Sequence, residues 1–367
     1  MTGFFQSIIT IVLFILILGG LVVIHELGHF VTARLAKVKV LEFGIGFPPR
    51  AKVMRSKGET LYTLNWLPIG GFVKLEGEDG NDADDPRSFA SQGLARKLTI
   101  LVAGVAMNVL LAFAIFTGIA WLASPFVGVR FFEVQPGSPA AAAGLQPGDA
   151  IVGVDGQRYQ FITGPDALTG LRDRAGDTIV LTIADTTGAK RDVTVTLRAE
   201  AEIDAQKGAL GISGVSKPFE RYFYGEYTTN DLPTAVSIGA KETVRWMGLI
   251  VGGLASLVGS VVADPTAPPP VSGPIGIATK IGDIFWNSGW VMTLYVAGIL
   301  SANLAVVNIL PFPPLDGGRM LMLTLKRIFG TRISLRAEQL TYVVGFVFLF
   351  AFIIRVSGYD IIRSLGG

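Results

Sequence analysis

Hydrophobic positions along the chain gather into a few long unbroken runs, separated by polar segments of much shorter period. Phe4 to Ile24, Leu98 to Ala123 and Trp290 to Phe312 each reach the length of about 20 apolar residues that spans a bilayer. Leu340 to Ile354 reaches it with its flanks, so the pattern predicts a polytopic α-helical membrane protein of about four transmembrane helices. Trp246 to Ala263 is a fifth run, Gly- and Ser-rich and borderline in length. The first run has no basic n-region and no small-x-small cleavage site, and it outlasts an h-region. It is expected to remain as an anchor rather than leave as a signal peptide.

Between the runs, alternation takes over. Gly58 to Glu78 alternates and turns at Pro68 to Gly71, which predicts a membrane-associated β-hairpin. The acidic stretch Gly77 to Ser88 that follows reads as a loop. Val134 to Gln157 sets Pro-Gly and Gly-Asp turns between short apolar strands and an Ala-rich helical piece. Thr178 to Asp185 and Asp192 to Ala199 alternate as two further strands, so an α+β soluble domain is inserted here. Ala263 to Pro274 is too rich in proline for helix or central strand and reads as a linker. The expected divisions are 1–124 (first membrane half), 125–215 (inserted domain), 216–289 (linker with an interfacial or re-entrant apolar segment) and 290–367 (second membrane half).

Composition agrees. Of the 367 residues half are hydrophobic and 16% are charged, against about 25% charged in a typical soluble domain, and the mean hydropathy is +0.52. A net charge of +2 gives no argument for nucleic acid as a partner; the lipid bilayer is the expected one. The absence of cysteine excludes disulfides, thiolate metal sites and thiol catalysis. The placement of charge matters more than its sum. Arg34, Lys37, Lys39, Arg50, Lys52, Arg55 and Lys57 follow the first run, and Arg319, Lys326, Arg327, Arg332 and Arg336 follow the third. The positive-inside rule puts both loops in the cytoplasm and the N-terminus and inserted domain outside the cell membrane.

The chain has two histidines, both in His25-Glu26-Leu27-Gly28-His29 at the inner end of the first run. Residues four apart share a helix face, so both imidazoles can reach one zinc ion, with Glu26 near enough to act as general base. Three ionisable residues in five positions of a membrane helix are costly and hard to explain as packing. A catalytic zinc takes three protein ligands and leaves one position open. With no third histidine and no cysteine, the third ligand must be a carboxylate at membrane depth. Asp316, directly after the third run, is the candidate, even though Gly317 and Gly318 also mark a turn there. Three crossings before Asp316 bring it to the level of the histidines; a fourth at Trp246 to Ala263 would carry it to the opposite face. That run is therefore expected to be interfacial or re-entrant. A zinc-binding sensor that binds peptides without proteolysis is the alternative, but it gives Glu26 no task. A transporter would string polar groups across the membrane depth, and here they gather at one level.

HELGH, Gly104 to Asn108 (GVAMN) and Asn308 to Gly318 (NILPFPPLDGG) resemble the motifs of the site-2 proteases, which are intramembrane zinc metalloproteases. Phe43 to Pro49, Leu67 to Glu78 and Ser272 to Ala278 are similar to the bacterial anti-sigma-factor-cleaving branch, and the inserted domain, with its GLQPGD turn, resembles a single PDZ domain. The resemblance implies that His25, His29 and Asp316 hold Zn2+, that Glu26 is the base, and that Asn308 helps hold the substrate or a developing oxyanion. It implies that the Gly44 to Gly46 loop and the hairpin around Gly70, Gly71 and Phe72 present the substrate. Substrates would be single-span membrane proteins already trimmed by another protease. Gly104 and Asn108 read first as helix-packing residues, small and cross-bonding respectively.

Overall fold

The computed structural model describes residues 2–56, 58–78, 84–163, 167–168, 171, 174–204, 207–216, 222–264, 266–330 and 334–365. The middle of the acidic stretch, 79–83, and the basic positions Lys57 and Arg332 lie outside the described residues. The chain divides into two compact units, Met1–Phe116 with Ala240–Gly367, and Thr117–Gly239.

The first unit is built on helices α1 (Thr2–Leu35), α2 (Leu94–Leu122), α4 (Leu232–Ala263), α5 (Pro274–Asn308), α6 (Asp316–Phe329) and α7 (Leu335–Leu365). Five of them, all but α6, are long and apolar enough to cross a membrane. Four were expected. The difference is α4: the run from Trp246 is neither broken nor looped, but continues the helix that starts at Leu232. Helical periodicity in Leu232 to Arg245 is masked by its polar residues, so the sequence shows only the apolar second half.

Side chains fix how these helices run. In α5, Ser301 donates to the Asn108 carbonyl at 2.8 Å, Gly298 abuts Ile115 and Phe116, and the Tyr295 ring packs on Phe116 at 5.2 Å. The order is reversed between the two helices, so α5 is antiparallel to α2. Asp360 of α7 accepts from the Gly276 amide at 2.9 Å, while Phe348 meets Phe312 at 5.6 Å, so α7 is antiparallel to α5 as well. Along α1, Thr10 abuts Gly282 and His25 lies by Asn308; these two helices run in the same direction. A break at Gly289 (φ 78°) divides α5. The straight piece after it starts where the third apolar run was expected to start, and ends before the prolines at 311, 313 and 314.

Helix α4 is fastened to one half of this bundle at Glu242, ten residues into the helix, and just past its C-terminal end. Glu242 accepts from Tyr295, which is 13 residues, roughly 20 Å along a helix, from Asn308. Just past the C-terminal end of α4, Tyr359 donates to the Thr266 carbonyl at 3.2 Å and Arg355 to that of Ala267 at 2.9 Å. Large apolar side chains on the outer faces of α1, α4 and α7 are exposed, Val262 and Phe4 by 77% and 70%; such surface is stable only against lipid or another apolar partner.

Strands β1 (Val40–Arg55) and β2 (Leu61–Leu75) pair antiparallel, and this corrects the hairpin expected within Gly58 to Glu78. The two limbs on either side of Pro68 to Gly71 do not pair with each other. Glu42, Phe43, Gly44 and Ile45 lie between them, facing Lys74, Val73, Phe72 and Gly71 on one edge and Leu61, Tyr62, Thr63 and Leu64 on the other. Arg50 to Arg55 then pair with Asn65 to Tyr62. The Gly44 to Gly46 segment, expected as a loop, is thus part of a strand. Its glycines are needed for close approach: a Cβ at Gly44 would strike the Phe72 ring, and one at Gly46 (φ 80°) the Leu67 carbonyl. The base of the sheet is held by a cluster of Ala33, Val38, Val40, Leu75, Phe89 and Ile100, which ties it to α1 and α2.

The second unit carries a six-stranded sheet of order β10-β3-β6-β5-β7-β8, from β3 (Ser124–Arg130), β5 (Ala150–Val154), β6 (Gln157–Gln160), β7 (Thr178–Ala184), β8 (Lys190–Thr196) and β10 (Tyr222–Thr228). A small pair, β4 (Glu133–Val134) with β9 (Ile212–Ser213), and the short helix α3 (Pro139–Ala142), capped by Ser138, complete it. Phe131, Ile151, Ile179, Leu181 and Ile183 are fully buried in its core. The unit is wider than the 125–215 expected, because β3 and β10 pair with each other at its boundary.

Candidate metal centre

Helix α1 presents His25 and His29 on one face, as their spacing of four requires. Both are buried. Asp316 reaches them from the first turn of α6, where a carboxylate also suits the helix dipole. The two glycines after it explain how. A Cβ at Gly317 would strike the carbonyls of Ile309 and Leu310, and one at Gly318 the backbone of Phe312 and Pro313. The turn made by the proline-rich segment can therefore press directly on the start of α6, and the turn and the ligand are one construction.

The three side chains converge. His25 Nε2 lies 2.9 Å from Asp316 Oδ2, His29 Nε2 lies 3.2 Å from the same oxygen, and the two Nε2 atoms are 3.1 Å apart. Among the described residues this is the one group of three His, Cys, Asp or Glu side chains with the spacing of a metal site. Zinc bonds of about 2.0–2.1 Å at tetrahedral angles would set ligand atoms roughly 3.4 Å apart, so a few tenths of an ångström of opening admits the ion. The donor chemistry fits too. His29 Nδ1 lies 2.8 Å from the Ile100 carbonyl, which only accepts; Nδ1 therefore carries the proton and the Nε2 lone pair points into the triangle.

Glu26 is adjacent but outside the triangle, with its side chain against Gly71 of β2. Asn308, at the last turn of α5, places Nδ2 3.4 Å from His25 Nε2. Of the other expected substrate contacts, Gly71 faces Glu26, whereas Gly70 (φ 96°) abuts Phe47 and Phe72 covers Gly44. These two shape the sheet. A cavity of about 1280 Å3 opens among β2, α2, α6 and α7, lined by Glu78, Lys97, Pro314, Arg319, Lys326 and Glu338. Its wall includes the ion pair of Arg319 with Glu78 at 2.6 Å, one helical turn from Asp316.

What the motif reading undervalued is α2. Ile100, Gly104 and Asn108 recur every four residues on the face turned to the histidines. A Cβ at Gly104 would fall on the His29 ring and crowd that of His25. Packing was the right category for Gly104, but what it packs against is the centre itself. Gly104→Ala should therefore lower zinc affinity by at least about 10-fold, measured as zinc retained against a competing chelator. A full metal complement at wild-type affinity would show that the rings can move aside without consequence.

Two histidines and an aspartate converging beside a glutamate in a membrane bundle, the one such cluster among the described residues, is the arrangement of a membrane metalloprotease, and comparison with known proteins agrees. The model of peptidase family M50 matches residues 13–352, and the chain belongs to that family, the site-2 proteases. A relative from Clostridium acetobutylicum, provisionally named a zinc metalloprotease, is 32% identical over 366 residues, covering 98% of this chain and 99% of the relative. The zinc metalloprotease RasP of Geobacillus kaustophilus is 28% identical over 440 residues, covering 97% and 98%. The RasP of Oceanobacillus iheyensis is 28% identical over 438 residues, covering 96% and 99%. The cofactor is zinc, in keeping with these names.

Proposed function

We propose that the chain hydrolyses peptide bonds within or near the transmembrane segment of single-span membrane proteins, with His25, His29 and Asp316 as zinc ligands and Glu26 as the base. The observation that carries this reading is the triangle of two Nε2 atoms and one Oδ2, no side more than 3.2 Å, buried among apolar helices with a glutamate beside it. When bound there, zinc supplies a Lewis acid and a water acidic enough to lose a proton near neutral pH.

The chain's own groups do the rest. Glu26 accepts the proton of the attacking water and delivers it to the leaving amine. The Asn308 amide is placed to donate to the carbonyl oxygen of the scissile bond as negative charge develops on it. A substrate helix hides its peptide groups in its own hydrogen bonds and must be opened first. The edge of β2 from Gly71 to Lys74, which Gly71 brings against Glu26, is suited to take an unwound segment as an added strand. Water can approach from the polar cavity behind Asp316, and the basic residues in its lining support a cytoplasmic orientation for that face. Because α4 is fastened at Glu242 and just past its C-terminal end to the half of the bundle away from Asn308, it need not change the side on which α5 begins. That supports four crossings with α4 lying obliquely or at the interface. The six-stranded sheet and the short capped helix of the second unit support the PDZ-like reading of it. Its task would be to admit substrates whose outer part another protease has removed, anti-sigma factors being the kind the resemblance suggests.

The test uses purified protein in lipid nanodiscs with single-span substrates whose outer domains differ in size, the products being weighed by mass spectrometry. Cuts inside the span, faster for the shortest outer domain, are expected. Cuts confined to extramembrane loops would overturn the reading.

A further inference from the structure

His29 has an obvious partner that fixes which of its nitrogens carries the proton. His25 needs one as well. Its Nε2 is turned to Asp316 and His29, so it can act as a ligand only if Nδ1 holds the proton, and a buried N–H requires an acceptor. The group at that nitrogen is the side-chain amide of Asn108, 3.2 Å away. Asn108 is fully buried, and its own Oδ1 has no hydrogen-bond partner. Nδ2 faces the ring, and a donor there would force the Nδ1 lone pair toward it and put the proton on Nε2, the wrong tautomer for a ligand. The two ends of an amide exchange by a half-turn. That half-turn sets Oδ1 against Nδ1–H and leaves the Nε2 lone pair facing Asp316 and His29. The backbone is held for this: Ser301 of α5 donates to the Asn108 carbonyl at 2.8 Å.

We infer that Asn108 is a positioning residue for the metal, its Oδ1 accepting from His25 Nδ1 and so holding His25 in its ligating tautomer. With the Ile100 carbonyl on His29 and Gly104 between them, one face of α2 then sets the proton position of both imidazoles. This inference rests on the zinc-protease reading, but it concerns a residue that touches neither substrate nor the attacking water.

The experiment compares purified wild type, Asn108→Leu and Asn108→Asp for zinc affinity against a chromophoric chelator and for the visible absorption of the cobalt-substituted forms. Leucine fills the space without an acceptor; aspartate restores one. The expected result is zinc binding about 10- to 100-fold weaker in the leucine variant, with an altered cobalt spectrum, and near-wild-type affinity and spectrum in the aspartate variant. A merely space-filling role would leave the order reversed or flat. Wild-type affinity in Asn108→Leu, or equal loss in both variants, would overturn the inference. Should the leucine variant fail to fold, Asn108→Ala against Asn108→Asp makes the same comparison. Absence of zinc from the wild type itself would overturn the metalloprotease reading, and is distinct because it does not depend on residue 108.

Discussion

Glu26→Gln should retain its zinc and lose about 10^2- to 10^4-fold in cleavage rate, the range that removal of a positioned general base commonly costs. The geometry separates the two properties. His25, His29 and Asp316 form the triangle without Glu26, and the substitution keeps the length and shape of the side chain beside Gly71. What it removes is the ability to accept a proton. The carboxylate is also partly buried against Gly71, so a base from bulk solvent would have to reach past the sheet. Zinc is read by elemental mass spectrometry on the purified variant, and cleavage with a single-span substrate in the same preparation. Cleavage at the wild-type rate would remove Glu26 from the chemistry; loss of zinc together with activity would make it a ligand instead.

Asp316→Ala should cost the metal itself. Apparent binding energies of protein zinc sites of about 10–16 kcal/mol, shared over three or four ligands, give roughly 3–4 kcal/mol for each, or two to three powers of ten in affinity. Asp316 contributes more than a third share, because it is the one anionic ligand and contacts both histidines, at 2.9 and 3.2 Å. The variant should keep its helix content, since α6 still starts on Gly317 and Gly318, but lose zinc to a chelator that leaves the wild type loaded. Asp316→Asn, which keeps an oxygen without the charge, should fall between. Undiminished zinc in Asp316→Ala would mean that another group completes the site and would sink the ligand set.

Much of the site was legible in the residues because its chemistry is rare in its setting. A chain with two histidines, four apart in an apolar run, leaves little choice, and Asp316 was found because membrane depth excludes most other carboxylates. The Gly pair after it was legible as a turn, but not as the means by which the turn and the ligand occupy one place. The sheet was harder. Alternation in Leu61 to Leu75 shows strand, but says nothing of the neighbour, and a strand from elsewhere, Glu42 to Ile45, came between the limbs that adjacency in sequence suggested would pair. The segment Phe43 to Pro49, with two glycines and two prolines, has the composition of a loop; only its position between two edges makes it strand. The apolar half of α4 is legible from Trp246 to Ala263, but its start at Leu232 is not, because the polar turns before Trp246 hide the helical period. Asn108 was readable as polar glue between helices; that its partner is a ring nitrogen depends on where three helices meet, which no local pattern records.

The proposed ligands lie far apart along the chain: His25 and Asp316 are separated by 291 positions. During synthesis the first anchor, the sheet and the whole inserted domain exist before the carboxylate does. On the proposed assignment, a chain that ends before Asp316 should be inert, however well its early parts fold. On the proposed ligand set, the triangle closes only once the segment that carries Asp316 has been made and has come to rest against α1.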